Sequence, residues 1–326
     1  MSGSQYENIR VLLAEPSSSF RNELRDLLAA RGFKNIFATG NLSGVMQAVK
    51  GNEVDLLIGD TKMPEGDLSE LIHQVRHGEI GHNPFIVTIT LLSETKADVV
   101  RRVIDSGTDH VIAKPFNNTE IVEHIETLTH SRKDFVVTTD YIGPNRRAKP
   151  RPGTQDIPQF AVPNPLRSRM TGQISDASFQ RSVEASMAVL NEQKVVRHAY
   201  QIGWLMNQIA GDSLDGVPDL NDESVVAHVE RLRSVTSDIA QRIQKTRYAH
   251  VASMCMTLLN MSEDIMKKNF SAGDVQMISK LTSVIQSAFD ENHTDMDRHR
   301  KRLAEEPQAE FDPSADPDWR VMPTKS

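Results

Sequence analysis

The chain has 326 residues, 38% hydrophobic and 25% charged, and its 37 Lys and Arg against 44 Asp and Glu give a formal charge of −7. That length has room for two modest cores, and the negative balance argues against general affinity for nucleic acid, which needs a basic face to neutralise phosphates. No apolar run approaches the roughly 18 residues of a membrane span, MSGSQYENIR lacks the basic and apolar stretches of a secretory leader, and the single Cys255 excludes an intrachain disulfide, so a cytoplasmic protein is expected.

From residue 8 to 131, short apolar β-branched runs alternate with helix-like segments, the pattern of parallel strands joined by helical crossovers. Strands are predicted at Ile9 to Ala14, Asn35 to Thr39, Val54 to Gly59, Phe85 to Thr90 and His110 to Ala113. Most are apolar throughout, as strands covered on both faces must be. Helices are predicted at Ser19 to Arg31, Leu42 to Lys50, Leu68 to Arg76, Lys96 to Ser106 and Thr119 to Thr129, with Gly32, Gly51, Gly78 and Gly107 as stops. The fold class is therefore α/β, a doubly wound five-stranded parallel sheet.

Residues 132–173 hold six of the 15 prolines and read as a Pro-rich linker containing the motif YIGPNRR at 141–147. Arg146, Arg147, Lys149 and Arg151 form a small basic patch there, either a solvated linker face or a contact for an acidic partner or a phosphate. From 174 to 302 apolar residues recur at helical spacing, and helices are predicted at Asp176 to Ala210, Asp222 to Tyr248, His250 to Lys268 and Asp274 to Arg302, packed as an antiparallel bundle. Residues 303–326 are polar and proline-rich, with too little apolar surface to offset the entropy of ordering, and are expected to be disordered.

In an open parallel sheet, functional groups gather at the C-terminal ends of the strands. Glu15, Asp60, Thr90 and Lys114 fall at four such ends. The set suits acyl-phosphate chemistry, with Asp60 as nucleophile, Thr90 bonding a phosphoryl oxygen, Lys114 neutralising its charge and Glu15 helping to hold Mg²⁺.

VLLAEP, VDLLIGDTKMPEGD and DSGTDHVIAKPF are similar to the signature segments of bacterial response-regulator receiver domains of the chemotaxis-regulator type, a resemblance covering about two fifths of the chain. It implies a flavodoxin-like sheet of order 2-1-3-4-5, Asp60 as phosphoacceptor, the Lys62 backbone carbonyl as a further Mg²⁺ ligand and a cis bond between Lys114 and Pro115. It implies a histidine kinase or phosphotransfer protein as partner. The sequence departs from the pattern at Pro16, where a second acidic ligand is usual and whose loss weakens the expected metal site. It departs also at Leu91, expected to crowd the site, and at Val111, where an aromatic switch residue is common. Two readings follow: a phosphorylatable switch, and a degenerate receiver serving as a phosphorylation-independent protein-binding adaptor.

The helical half shows no compact set of catalytic side chains and no helix-turn-helix, so neither an enzyme nor a DNA-binding protein is expected. His228 and His250 lack the lysine and glycine surroundings of a phosphotransfer histidine, and His198 has Gly203 nearby but no matching lysine. Met254, Met256, Met261, Met266 and Met277 read as core filling before a partner groove. The stripe from Val225 to Ile243 fits a bundle core or a homodimer seam, and an interaction or dimerisation module is the expected output.

Overall fold

A computed structural model describes residues 5–51, 53–147, 157–172, 175–210, 220–267 and 271–290. The expected disordered tail, Lys149, Arg151, the last helix beyond Asp290 and the turn at 211–219 lie outside the described residues.

Strands β1 (Arg10–Ala14), β2 (Asn35–Thr39) and β3 (Leu56–Asp60) are followed by a short hairpin, β4 (Lys62–Met63) with β5 (Gly66–Asp67), and then by β6 (Val87–Leu92) and β7 (His110–Ala113). Five of these form one parallel sheet of order β2-β1-β3-β6-β7, the doubly wound arrangement. The crossovers are α1 (Ser18–Ala30), α2 (Leu42–Lys50), α3 (Leu68–Arg76), α4 (Ala97–Asp105) and α5 (Asn118–His130). Alternate strand residues explain the unbroken apolar runs: Val11, Leu13, Ile58, Ile89 and Leu91 pack with Leu24, Leu28, Ile121 and Ile125 on one side. Leu12, Ala14 and Leu57 pack with Val45, Leu68 and Ile72 on the other. Ser17, Asn41, Asp67 and Asn117 cap four of the helices through side-chain oxygens.

Two strands are displaced from their expected spans. β3 begins and ends later than Val54 to Gly59, and β6 lies two residues beyond Phe85 to Thr90. The backbone just before β6 has other partners: Asn83 Oδ1 accepts from Phe85 N at 2.9 Å, and the Phe85 and Ile86 carbonyls accept from the guanidinium groups of Arg132 and Arg76.

Residues 132–173, expected to be an irregular linker, contain regular structure. β8 (Phe135–Val137), β9 (Ile142–Pro144) and β10 (Gln159–Phe160) make an antiparallel sheet of order β10-β8-β9, and α6 (Pro165–Thr171) follows. Two of the prolines occupy permissive places: Pro144 ends an edge strand and Pro165 opens a helix, where no backbone N–H is required. Phe135, Val137 and Ile142 bury against Phe85, just ahead of β6, and against Val183 and Leu190 of α7 (Asp176–Ala210).

α7, α8 (Glu223–Arg242), α9 (Ala252–Met266) and α10 (Ala272–Asp290) pack as a four-helix bundle around Val195, Ile202, Leu205, Leu232, Val235, Ile239, Leu258 and Ile285. The helix expected from Asp222 to Tyr248 stops at Arg242, and two 3-10 turns, Ile243–Lys245 and Ala249–Val251, fold the chain back into α9. From Val229 to Ile243 the stripe is buried inside the bundle, with Val225 at its margin, so it is core and not an open seam. Cys255 is fully buried and its thiol is pushed up to about 11 by burial, as befits a core residue. The bundle is fastened to the α/β half: Lys194 of α7 donates to the Thr138 and Thr139 carbonyls at 3.2 and 2.6 Å, and Arg242 donates to His77 O at 2.8 Å. No helix among the described residues is long and apolar enough to cross a membrane.

Candidate functional site

β1, β3 and β7 deliver one charged side chain each to the C-terminal edge of the sheet: Glu15 just past β1, Asp60 as the last residue of β3, and Lys114 just past β7. Lys114 Nζ donates to Asp60 Oδ2 at 2.5 Å and to Glu15 Oε2 at 2.8 Å. Asp60 Oδ1 accepts from the backbone N–H of Lys62 at 2.8 Å, and Glu15 Oε1 from that of Ser17 at 3.0 Å. Both carboxylates are buried. The ammonium also lies 4.6 Å from the Phe20 ring centroid, and that ring leans on Phe116 at 5.8 Å. Burial alone would lower the pKa of Lys114, but the hydrogen bonds to Asp60 and Glu15 outweigh it and hold the value above that of a free lysine.

Thr90 does not reach this cluster. It sits within β6, fully buried, in register with Gly59 and Val111, and its hydroxyl meets that of Thr108 at 2.8 Å. Because β6 continues to Leu92, the hydroxyl at the strand end belongs to Ser93, which donates to Asp60 Oδ2 at 3.1 Å. The sequence signal for Ser93 was the polar turn SETK immediately after the apolar run. Leu91 lies in the core beside Ile58 and Ile89, not at the site. The residue after Ser93 is Glu94, bridged to Lys62 at 2.8 Å and Lys96 at 2.5 Å, and these two bonds pull its pKa down to about 2. Val111 packs against Leu92, Val99 and Val103. The Lys114–Pro115 peptide bond is cis.

Mg²⁺ takes one or two carboxylates and completes its shell with water, and Glu15 and Asp60 supply two within reach of one ammonium. Pro16 is exposed and adds none. Among the described residues no group of three or more His, Cys, Asp or Glu is placed to hold a metal ion. Glu15 and Asp60 match in number the carboxylates such a shell takes, with water left to complete it.

The opposite edge of the sheet carries a second buried polar cluster, to which the YIGPNRR segment is clipped. Arg76 is fully buried and donates to Asp109 Oδ2 at 2.9 Å, Thr88 Oγ1 at 3.0 Å and Gly107 O at 2.9 Å. Burial draws its pKa down to about 10, opposed by Asp109. Arg132 donates to the same carboxylate at 2.8 and 3.1 Å, and both guanidinium groups flank the Phe135 ring, at 5.3 and 5.0 Å. In the motif, Tyr141 donates to Pro144 O at 2.8 Å, and Arg146 donates to Thr108 O and to Asp109 O. Arg146 is thus tied to the backbone ahead of β7 and is not part of a solvated patch. Gly107, at φ 84°, lies against Ile142 so closely that a Cβ would stand 2.2 Å from its carbonyl oxygen.

The three helical histidines stand apart. His198 is buried and pairs with Asp238 at 2.8 Å, with its pKa lowered by burial against that partner. His228 meets the edge of Trp204, and exposed His250 faces the carbonyl of Arg247.

The family model described as response regulator receiver domain matches residues 11–126. A curated relative, the transcriptional regulatory protein PdtaR of Mycobacterium tuberculosis, is 28% identical over 117 residues, which is 36% of this chain and 55% of that protein. The chemotaxis protein CheY-3 of Vibrio cholerae is 22% identical over 123 residues, 37% of this chain and 92% of that protein. Among solved structures, a CheY-like response regulator receiver domain protein from Methanospirillum hungatei aligns at 17% identity with a TM-score of 0.33, covering 36% of this chain and 90% of that one. The chain spans about half the length of the first curated relative it matches. Residues 11–126 are a response regulator receiver domain, the signalling module of two-component systems, and a helical region follows it.

Proposed function

We propose that the protein is a cytoplasmic response regulator that accepts a phosphoryl group on Asp60 and signals through its helical module, not a metabolic enzyme. The observation that supports this most is the convergence of Asp60, Lys114, Glu15 and Ser93 on one sheet edge. A carboxylate oxygen of Asp60 attacks the phosphorus of a phosphohistidine on a histidine kinase or phosphotransfer protein. The P–N bond breaks, its electron pair stays on the imidazole, and an acyl phosphate forms. Lys114 then pairs with a phosphoryl oxygen while keeping Glu15, and Ser93 donates to another. Receiver domains typically bind Mg²⁺; here Glu15, Asp60 and the Lys62 carbonyl would hold it, and it supplies charge neutralisation for the transferred group.

The proposed organisation is a receiver over 8–131, a connecting segment over 132–173, and an interaction or dimerisation module over 174–302. The connecting segment carries β8, β9, β10 and α6. One observation favours the second reading, a phosphorylation-independent adaptor: with Pro16 in place of an acid, the Lys114 ammonium already bridges the two carboxylates. Acetyl phosphate with Mg²⁺, followed by intact-mass measurement, separates the two. The switch gains one phosphoryl mass in the wild type and none in Asp60→Ala; a wild type that gains nothing across a wide Mg²⁺ range is the adaptor.

A further inference from the structure

The outer face of α7 carries two aromatic side chains one turn apart, Tyr200 at 44% exposure and Trp204 at 54%. Exposed tryptophan is concentrated at interfaces, because an indole loses much by remaining in water. The Trp204 ring stands edge-on to His228 of α8 at 5.5 Å and 87°, which steadies it on one side. Beside it α7 and α10 leave a cleft of about 270 Å³, walled by Gly203, Trp204, Asn207, Ser279, Thr282 and Ser283. Gly203 and the serines leave this space open by having little side chain. A cavity of about 150 Å³ takes benzene, so this one has room for the larger indole.

Two further features bear on the occupant. Thr282 is one of the wall residues and is 3% exposed, and among the described residues its hydroxyl has no hydrogen-bond partner. A buried hydroxyl left unmatched is destabilising, and it is matched by an incoming N–H donor. The six wall residues named are uncharged, whereas the chain as a whole carries −7. Two copies can therefore meet on this face without setting like charges against one another.

We infer that this face is the contact between two copies of the chain, in which Trp204 of each enters the α7–α10 cleft of the other. The knob and the hole are adjacent on one surface, at Gly203 and Trp204, so a two-fold axis beside α7 satisfies both at once. The indole Nε1–H, a donor with no acceptor capacity, meets the Thr282 hydroxyl. The contact lies on the bundle and stands independently of phosphorylation at Asp60.

Sedimentation equilibrium on the full chain tests this, with Trp319→Phe introduced so that Trp204 is the only tryptophan. The parent is expected to pass from monomer to dimer at micromolar concentrations, with its emission shifting to the blue as the dimer forms. Trp204→Ala removes the knob and Ser283→Arg fills the hole; each is expected to weaken association at least tenfold while circular dichroism stays that of the parent. Mixing the two variants restores one knob-in-hole contact and hence a heterodimer. A parent that stays monomeric, a dimer indifferent to both substitutions, or a blue-shifted indole already present in the monomer overturns the inference; the last outcome assigns the cleft to another part of the chain or to a small molecule.

Discussion

Lys114 Nζ lies 2.5 Å from Asp60 Oδ2 and 2.8 Å from Glu15, so one ammonium from the end of β7 serves carboxylates from the ends of two other strands. Formally the trio carries a single negative charge, which limits its pull on a divalent cation.

Restoring an acid beside Glu15 is expected to change that. Pro16→Asp adds a third carboxylate to a set of two and should tighten Mg²⁺ binding about tenfold or more, read by titration calorimetry. Unaltered affinity would mean that Glu15 and Asp60 are not the cation's ligands.

The two hydroxyls separate by substitution. Ser93→Ala removes the hydroxyl donor on Asp60 and is expected to slow acetyl-phosphate labelling roughly tenfold with little effect on stability. Thr90→Val leaves labelling intact but breaks a buried bond to Thr108 and should cost about 1 kcal/mol in urea unfolding. Labelling that follows Thr90 and ignores Ser93 would reverse the assignment.

The misplacement of that hydroxyl shows what the sequence carried and what it did not. β2, β7, α2 and α3 begin and end where local pattern puts them. Their boundaries are set by nearby residues, such as the Asn41 and Asp67 caps. β6 was misjudged because Arg132, 46 and 47 positions away, takes the carbonyls of Ile86 and Phe85, and no local pattern reports so distant a donor. The 132–173 segment is regular despite its prolines because a proline that ends an edge strand, as Pro144 does, or opens a helix, as Pro165 does, costs no hydrogen bond, and proline content does not report such placement. Asp60, Glu15 and Lys114 were legible because each follows an apolar run that ends within a residue or so of its expected place. The bundle stripe was read at the right period, but its choice between core and seam depended on α7 and α9 packing over it.

The buried cluster at the far edge predicts a large effect from a small change. Asp109→Asn leaves Arg76 and Arg132 both buried without a countercharge and is expected to cost about 3–5 kcal/mol, seen as a lower urea midpoint. A loss below about 1 kcal/mol would show that water reaches these guanidinium groups.

Acid should loosen the protein through His77. Its ring stacks on His73 at 4.0 Å, its Nε2 is buried with no hydrogen-bond partner among the described residues, and burial, aided by Lys194, His73 and Arg242, holds its pKa at about 2. The folded value is depressed below the unfolded one of about 6.5. Stability is therefore complete above that pH and declines as pH falls through it, because the unfolded chain takes a proton the native ring refuses. Between pH 7.5 and 5.5 the loss from this residue is on the order of 1 kcal/mol. His77→Gln is expected to flatten the slope of stability with pH, leaving what His73, His110 and His198 contribute.

The contact of Phe135 with two arginines bears on where this polypeptide can be divided. A fragment ended at Ser131 would keep Arg76 and Asp109 but forfeit Arg132, the aromatic lid over them and the greasy cover of Phe85. The smallest piece that keeps its own floor runs at least through Pro163, whose carbonyl Arg132 also grips. Proteases that trim the intact protein should spare the junction after α5, although by length alone it would be the obvious place to cut.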